Sequence, residues 1–416
     1  MRILYSTVIT FFGLFIRFAA LFNGKARLWV EGRKGIFGHL EEFLKQVNRE
    51  KCPLAWFHVS SLGEFEQGRP VIEAFRKRWP EKKILLTFFS PSGYEVRKNY
   101  EQADFVCYLP LDSRSNARRF LEIVRPEMVF FVKYDFWFNY IDAVHRRQIP
   151  LYFISVLFRK NQHFFKWYGG WFHKHLEYVT RFFVQNAESL ELLVNSGIQQ
   201  VTLSGDTRFD RVFAIAAQSG PIPAIEKFCG GKQVFIAGSS WEPDETVFIP
   251  LIQSGKSGLK FIIAPHDTSP SRIRNIRERL KVPSVCFSEL QNGNTGEINV
   301  LIIDSVGILS KLYRYATIAF IGGGFGSGIH NIQEPVTFGV PVLFGPGFRR
   351  FTEARELVEQ GGAFCITTTD ELLRKVEAIT GDAAEHRRVS AICRDYVEAN
   401  RGATEKVMGY LEKVSG

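Results

Sequence analysis

Apolar residues along this chain fall into short unbroken runs separated by stretches of helical period. The first series comprises "LAWFHVSS" (54–61), "KILLTFFS" (83–90), "DFVCYLP" (104–110), "MVFFVKY" (128–134), "PLYFISV" (150–156), "RFFVQN" (181–186) and "VTLSGD" (201–206). Continuous apolar runs are the pattern of parallel strands buried on both faces. Between them, "GRPVIEAFRKRW" sets Val71, Ile72, Phe75 and Trp79 on one helical stripe with charges opposite. After a Gly-Pro-Ile-Pro break the pattern restarts with "QVFIAGSS", "LKFIIAPH", "SVCFSE", "NVLIID", "IAFIGGG", "VPVLFGP" and "AFCITT". The repeated strand-helix alternation predicts an α/β fold of two Rossmann-like domains, which bind ligands in a cleft at the carboxyl ends of their sheets.

The amino terminus departs from this pattern. "ILYSTVITFFGLFI" (3–16) is uncharged, followed by Arg17, "FAALF" and a basic stretch holding Lys25, Arg27, Arg33 and Lys34. The run is short of the ~20 residues that span a bilayer, although Arg17 is able to snorkel and extend it. It lacks a small-x-small cleavage site. An uncleaved anchor, spanning or interfacial, is expected, with the bulk of the protein held on the cytoplasmic side by the basic residues that follow; the alternative is a buried first helix. The expected division is an anchor over 1–22, a first domain over 23–212 and a second over 213–416, whose last helix is a candidate for packing back on the first domain.

Charge sharpens this division. The chain's net +10 is concentrated in residues 1–210, which carry 30 Lys and Arg against 21 Asp and Glu. An anionic membrane surface or a phosphorylated substrate fits such a bias, whereas nucleic acid is disfavoured because no recognition motif or tight basic block accompanies it. "FRKNQHFFKWYGGWFHKH" (158–175) sets seven aromatic residues among Arg159, Lys160, Lys166 and Lys174, as an interfacial contact would, or else forms a buried aromatic helix. The six cysteines are scattered without metal-like spacing and are expected to be buried thiols.

Motif scanning mainly eliminates candidates. "GGGFGSG" (322–328) has no register that gives G-x-G-x-x-G, which argues against a dinucleotide site. There is no H-E-x-x-H and no D-x-D, so neither a metal nor a cofactor is implied. Phosphate binding by backbone amides remains. In "SSLGEFEQGRP" (60–70), Glu64 follows a strand and a turn; on spacing alone it is either a catalytic base or a partner of the helix dipole.

The order and spacing of "RLWVEGRKG", "FHVSSLGEFEQGRPVI", "LLTFFSPSGYE", "YLPLD", "FWFNYI", "SGDTRFD", "DSVGILSKLY" and "GGGFGSGIHNIQEPVTFGVPVLFGP" resemble the 3-deoxy-D-manno-octulosonic acid (Kdo) transferases, glycosyltransferase family 30. The resemblance runs nearly end to end. It implies a GT-B fold, a metal-independent inverting transfer of Kdo from CMP-Kdo to a lipid A precursor, and a place at the cytoplasmic face of the inner membrane. Glu64 falls on the family's catalytic base and Arg208 on a basic residue that stabilises departing charge, unless Arg208 simply pairs with Asp206 or Asp210. Lys133 falls where the family often carries an acid, so either it contributes differently or Asp135 takes over part of the role. Glu66, the competing acid, is expected to face solvent. For CMP, the resemblance points to Pro265 and His266, to Val306, Gly307 and Ile308 at the opening of a helix, and to Asn331, Ile332, Gln333 and Glu334. Another lipid-linked glycosyltransferase, such as a lipid A disaccharide synthase, or a non-catalytic membrane protein of the same fold would share the architecture.

Overall fold

The structure, a computed structural model, describes residues 1–47, 52–218, 220–255, 258–290 and 298–415. All fourteen apolar runs form strands. In the first domain these are β1 (Leu54–Val59), β2 (Lys83–Phe88), β3 (Phe105–Tyr108), β4 (Met128–Val132), β5 (Leu151–Val156), β6 (Arg181–Val184) and β7 (Val201–Leu203). They form one parallel sheet in the order β3-β2-β1-β4-β5-β6-β7. The second domain repeats the plan with β8 (Val234–Ser240), β9 (Lys260–Pro265), β10 (Ser284–Cys286), β11 (Val300–Ile302), β12 (Ile318–Ile321), β13 (Val342–Phe344) and β14 (Ala363–Cys365), ordered β10-β11-β9-β8-β12-β13-β14. This sheet is parallel too.

The strand order reverses direction at the centre of each sheet, between β1 and β4 and between β8 and β12, and in the second sheet β11 also inserts between β9 and β10 at the edge. Crossover helices leave such a point toward opposite faces, so the loops after its two strands part and leave room for a ligand. The loops concerned are those after Val59, Val132, Ser240 and Ile321.

Both faces of the first sheet are covered. On one, Phe65, Val71, Ile72 and Phe75 of the helix Leu62–Arg78 are fully buried with Phe57 and Phe130, as the helical stripe predicts. On the other, Trp56, Phe120, Phe131 and Tyr140 pack together. The second sheet is sealed by a cluster that includes Phe235, Phe248, Ile302 and Phe320.

The chain forms two compact units, Met1–Asp210 with Arg401–Gly416 and Arg211–Asn400. The C-terminal helix Ala403–Ser415 is thus part of the first unit, where Val407, Met408 and Leu411 bury against its core. Asp210 holds the start of that helix, accepting from Gly402 N–H at 2.6 Å and Thr404 N–H at 2.7 Å. At the other end of the chain, the helix Arg2–Ala19 is long and apolar enough to cross a membrane by composition, and only 6% of it is buried. It touches the first unit along one edge through Arg2 to Asp142 at 2.8 Å, Tyr5 to Asp112 at 2.5 Å, and Gly13 against Leu111. Its other faces, with the turn that follows, expose Ile3, Leu4, Phe11, Phe15, Phe18 and Phe22.

Three expectations are corrected. Glu66 does not face solvent: it is half-buried and paired with Arg97 at 2.8 Å, because a neighbouring helix covers that side of Leu62–Arg78. The aromatic stretch 158–175 is neither wholly surface nor wholly core. It folds as a 3-10 turn, His163–Phe165, and a helix, Gly170–Glu177, that bury Phe164, His175 and Leu176. Trp167 (96% exposed), Tyr168, Lys160, Lys166 and Lys174 stay outside. All six cysteines are free thiols, but Cys52 and Cys365 are only half-buried.

Candidate active site

At the first switch point, β1 ends at Val59 and the chain turns through Ser60 and Ser61 into the helix Leu62–Arg78. A capping box closes this helix, with Ser61 Oγ accepting from Glu64 N–H and the Glu64 side chain accepting in return. Glu64 Oε2 accepts from Ser60 N–H at 2.9 Å, Ser61 N–H at 3.0 Å and Ser61 Oγ at 3.3 Å. Its Oε1 accepts from no described residue. Burial pushes the carboxyl above its ordinary range, opposed by the Ser60 amide, the Lys133 charge and the Ser61 donors.

Asp135 lies beside it, 5% exposed and joined to Ser60 Oγ by a short hydrogen bond. Burial drives its carboxyl well above the carboxylate range, and the Glu64 charge adds to this. One serine thus touches both carboxyls through different atoms. The pair repels a second negative charge, and the more deeply buried member, Asp135, is the one that keeps its proton.

His58 approaches Asp135 at 3.6 Å, within ion-pair range. The ring is nevertheless neutral. Its Nε2 accepts from Trp137 Nε1–H at 2.8 Å, which leaves Nδ1–H to donate to Thr87 Oγ1 at 2.8 Å, and burial pulls its pKa down to about 3. No ion pair forms there.

Lys133 is the first residue after β4 and adopts a left-handed backbone, φ 63°. Such a conformation is strained for a non-glycine and persists only where the surroundings impose it. Here its N–H donates to Ile154 O at 2.9 Å. Tyr134 follows, and the charges of Arg159, Glu64, Arg208 and Asp206 all reach it. Arg208 holds Asp206 Oδ2 through Nε at 2.9 Å and Nη2 at 2.6 Å, whereas Asp210 is occupied by the C-terminal helix. Thr207, next to Arg208, bonds Ser155 Oγ at 2.7 Å and Gln67 O at 2.5 Å, fixing the start of the helix Thr207–Gln218 against Leu62–Arg78.

The second switch point holds a pocket of about 240 Å³ lined by Ser239, Gly307, Ser310, Tyr313, Asn331 and Glu334, among others. The glycine loop beside it depends on the absence of side chains: a Cβ on Gly324 would lie 2.5 Å from the backbone of Gly345. Buried Asp244 pins that loop by accepting from Gly323 N–H at 2.8 Å. Glu334 accepts from Asn331 Nδ2 at 3.3 Å; burial raises its pKa, against the pull of Asn331 and of the Arg211 charge. His266 stacks between Trp241 (4.4 Å) and His330 (4.7 Å), while Pro265 is buried at the end of β9.

Of the twelve residues expected from sequence, Gly307, Asn331 and Glu334 line this pocket, and Glu64, Lys133 and Arg208 gather in the first domain. Ile332 and Gln333 are each 1% exposed; Ile332 belongs to the core, whereas the buried Gln333 side-chain amide has no hydrogen-bond partner among the described residues. Val306 projects outward at 87% exposure. The expected helix at 305–307 begins only at Leu309, after the Ile308 cap, and makes one turn before a 3-10 segment, which is too short to carry a useful dipole. Sequence reading missed Arg211, although it lies one helical turn after Arg208, and it missed the ring stack, which no linear spacing encodes.

Two parallel-sheet α/β domains with candidate sites at their switch points define a fold of the GT-B type. Solved structures bear out the fold. UDP-GlcNAc 2-epimerase from Neisseria meningitidis matches with a TM-score of 0.60 and 19% identity over 86% of this chain and 99% of that one. MurG from Acinetobacter baumannii matches with 0.53 and 10% over 87% and 99%. Within that class the chain is a homologue of the Kdo transferases. The family model for 3-deoxy-D-manno-octulosonic-acid transferase matches residues 33–211. The 3-deoxy-D-manno-octulosonic acid transferase of Aquifex aeolicus is 27% identical over 82% of this chain and 90% of its own length, and that of Haemophilus influenzae 25% over 86% of each. A bifunctional glycosyltransferase/methyltransferase of Fusobacterium nucleatum is 24% identical over 83% of this chain, which spans only 55% of that longer protein.

Proposed function

We propose that the protein transfers Kdo from CMP-Kdo to a lipid A precursor in lipopolysaccharide synthesis, without a metal and with inversion. An acceptor hydroxyl oxygen attacks the anomeric carbon, the bond from that carbon to the CMP phosphate oxygen breaks, and CMP leaves with the electron pair. Glu64 takes the hydroxyl proton.

The observation that carries this reading is the arrangement of the Glu64 carboxylate, with one oxygen held by three donors and the other open. A base must be ionised and fixed yet keep a lone pair available. The neutral Asp135 beside it supplies bulk and a hydrogen bond without a second charge. Lys133 provides positive potential for the departing phosphate and the donor's carboxylate, while the Arg208 charge is offset by its pairing with Asp206. In the second domain, Glu334 and Asn331 suit ribose hydroxyls.

The apolar helix is read as an interfacial anchor. Contacts along one edge from Arg2 to Gly13 hold it lengthwise against the first domain and leave its apolar faces for lipid. Trp167, Tyr168 and their lysines offer a second headgroup-level contact.

Incubation with CMP-Kdo and a tetraacylated lipid A precursor in the presence of a chelator, followed by mass spectrometry, tests donor, acceptor and metal need together. Transfer from a UDP-sugar instead would overturn the reading. Glu64→Gln should lower turnover by about 10²–10⁴-fold while CMP binding measured by calorimetry is unchanged, and Glu66→Gln should act far more weakly.

A further inference from the structure

Behind the two carboxyls, the end of β1 carries a chain of hydrogen bonds whose direction is fully determined. His58 is completely buried, and its Nε2 accepts from Trp137 Nε1–H at 2.8 Å. An indole nitrogen only donates, so this ring nitrogen holds a lone pair and the ring proton sits on Nδ1. Nδ1–H therefore donates to Thr87 Oγ1 at 2.8 Å, and the same oxygen accepts from Trp56 Nε1–H at 2.8 Å. With both lone pairs taken, the Thr87 hydroxyl proton turns to Phe57 O at 3.4 Å. Trp137 is held from its other side, where its ring packs 4.5 Å from that of Phe89.

Asp135 Oδ2 lies 3.6 Å from the same His58 Nε2. No donor among the described residues reaches this buried oxygen, and the Ser60 hydroxyl serves Oδ1 instead. A buried carboxylate needs donors on both oxygens, whereas a protonated carboxyl does not. His58 withholds the donor: Nε2 brings a lone pair, not a proton, to that side of Asp135 and engages the neighbouring indole N–H. The charged groups around the cluster are Glu64 and Lys133, from the segments after β1 and β4, and Arg33, whose charge disfavours a protonated ring still further.

We propose that His58 is a positioning residue: by occupying the Trp137 indole N–H it keeps Asp135 neutral, so that Glu64 is the only negative charge of the carboxyl pair. Two ionised carboxyls sharing Ser60 would repel, and Glu64 would then hold a proton, and be idle as a base, up to a higher pH. The kinetic consequence rests on Glu64 being the base of the proposed reaction, but the charge state of Asp135 is measurable without any transfer.

The pH dependence of kcat/KM in the full chain, paired with infrared difference spectra of the protonated-carboxyl C=O band, tests this. The band is assigned to Asp135 by its loss in Asp135→Asn. His58→Leu cannot accept, so the Trp137 N–H is released to Asp135 Oδ2. The band should then disappear near neutral pH and the acid limb of the profile should move up by about one pH unit. Adding Asp135→Asn to His58→Leu should return the limb to its native position, and so should adding Trp137→Phe, which removes the released donor. A merely structural role for His58 predicts a lower rate that neither second substitution restores, with an unmoved limb. That result overturns the proposal, as does a carboxyl band that persists in His58→Leu. Should circular dichroism show His58→Leu unfolded, Trp137→Phe and His58→Gln decide alone. The first lacks the indole donor and the second accepts it through its amide oxygen, so both should keep the band, and its loss in either overturns the proposal. If Glu64→Gln retained transfer, the base assignment would fall while the band in the native protein and in His58→Leu still reported on Asp135, so the two readings fail separately.

Discussion

In the proposed reaction, two carboxyls that share Ser60 but differ in charge set the chemistry of the first domain. Glu64 and Asp135 are both pushed upward by burial, and the Glu64 charge raises Asp135 further. Because Asp135 keeps its proton, Asp135→Asn preserves shape and hydrogen bonding and should retain transfer within about tenfold, unlike Glu64→Gln. In the native protein kcat/KM is expected to fall on the acid side as Glu64 takes up a proton, at a pH above the ordinary glutamate value. Because Asp135 is already neutral there, the Asn variant should keep that limb as a single ionisation. A pH profile that ends both variants alike would mean that Asp135 must be ionised. Glu64 was legible only as an acid near the start of a helix, and the family resemblance, not its spacing, singled it out as the candidate base. Its partnership with Asp135 was not legible, since it arises only because β1 and β4 are neighbours, and the two residues are seventy-one apart in sequence.

Strands were the most readable elements. Runs buried on both faces carry their own signal, and each of the fourteen became a strand, whereas strand order, which decides where the switch points fall, depends on pairing that no run encodes. Short helices were less readable, as the one-turn segment at Leu309–Leu312 shows, because its start depends on the path of the preceding loop. The N-terminal helix offers a test at this scale. Asp112 accepts from Tyr5 Oη, Asn139 N–H and Tyr140 N–H, yet burial raises its pKa from 3.8 to about 6. The folded state therefore binds the proton more tightly than the unfolded chain. The resulting stability is full below pH 3.8 and is lost as pH rises through 6, by about 3 kcal/mol at most. Urea unfolding at pH 4.5 and 7 should show this loss in the native protein and not in Asp112→Asn. The C-terminal helix is the second such test: Leu411 is fully buried in the first domain, and Leu411→Ala should cost about 2–5 kcal/mol in the same assay.

Across the whole molecule, charge follows the structural units more sharply than it follows halves of the sequence. With residues 401–416 counted in the first unit, that unit holds 33 basic against 23 acidic residues, and the second holds 20 of each. All of the net charge thus belongs to the unit that carries the apolar helix and the exposed Trp167. Raising ionic strength should accordingly weaken vesicle binding by the full chain while leaving CMP affinity nearly unchanged, measured by co-sedimentation and calorimetry.

The return of the chain's last helix to the first unit also settles what is separable. Residues 211–400 form an uninterrupted segment with its own sheet and core, entered and left once each, so a gene fragment encoding them alone should yield a folded nucleotide-binding module. Its counterpart has no such contiguous fragment. To express the first unit alone, residues 1–210 must be fused through a short linker to 401–416, because a chain stopped at 210 would leave Asp210, Phe183 and Tyr152 facing water where a helix belongs.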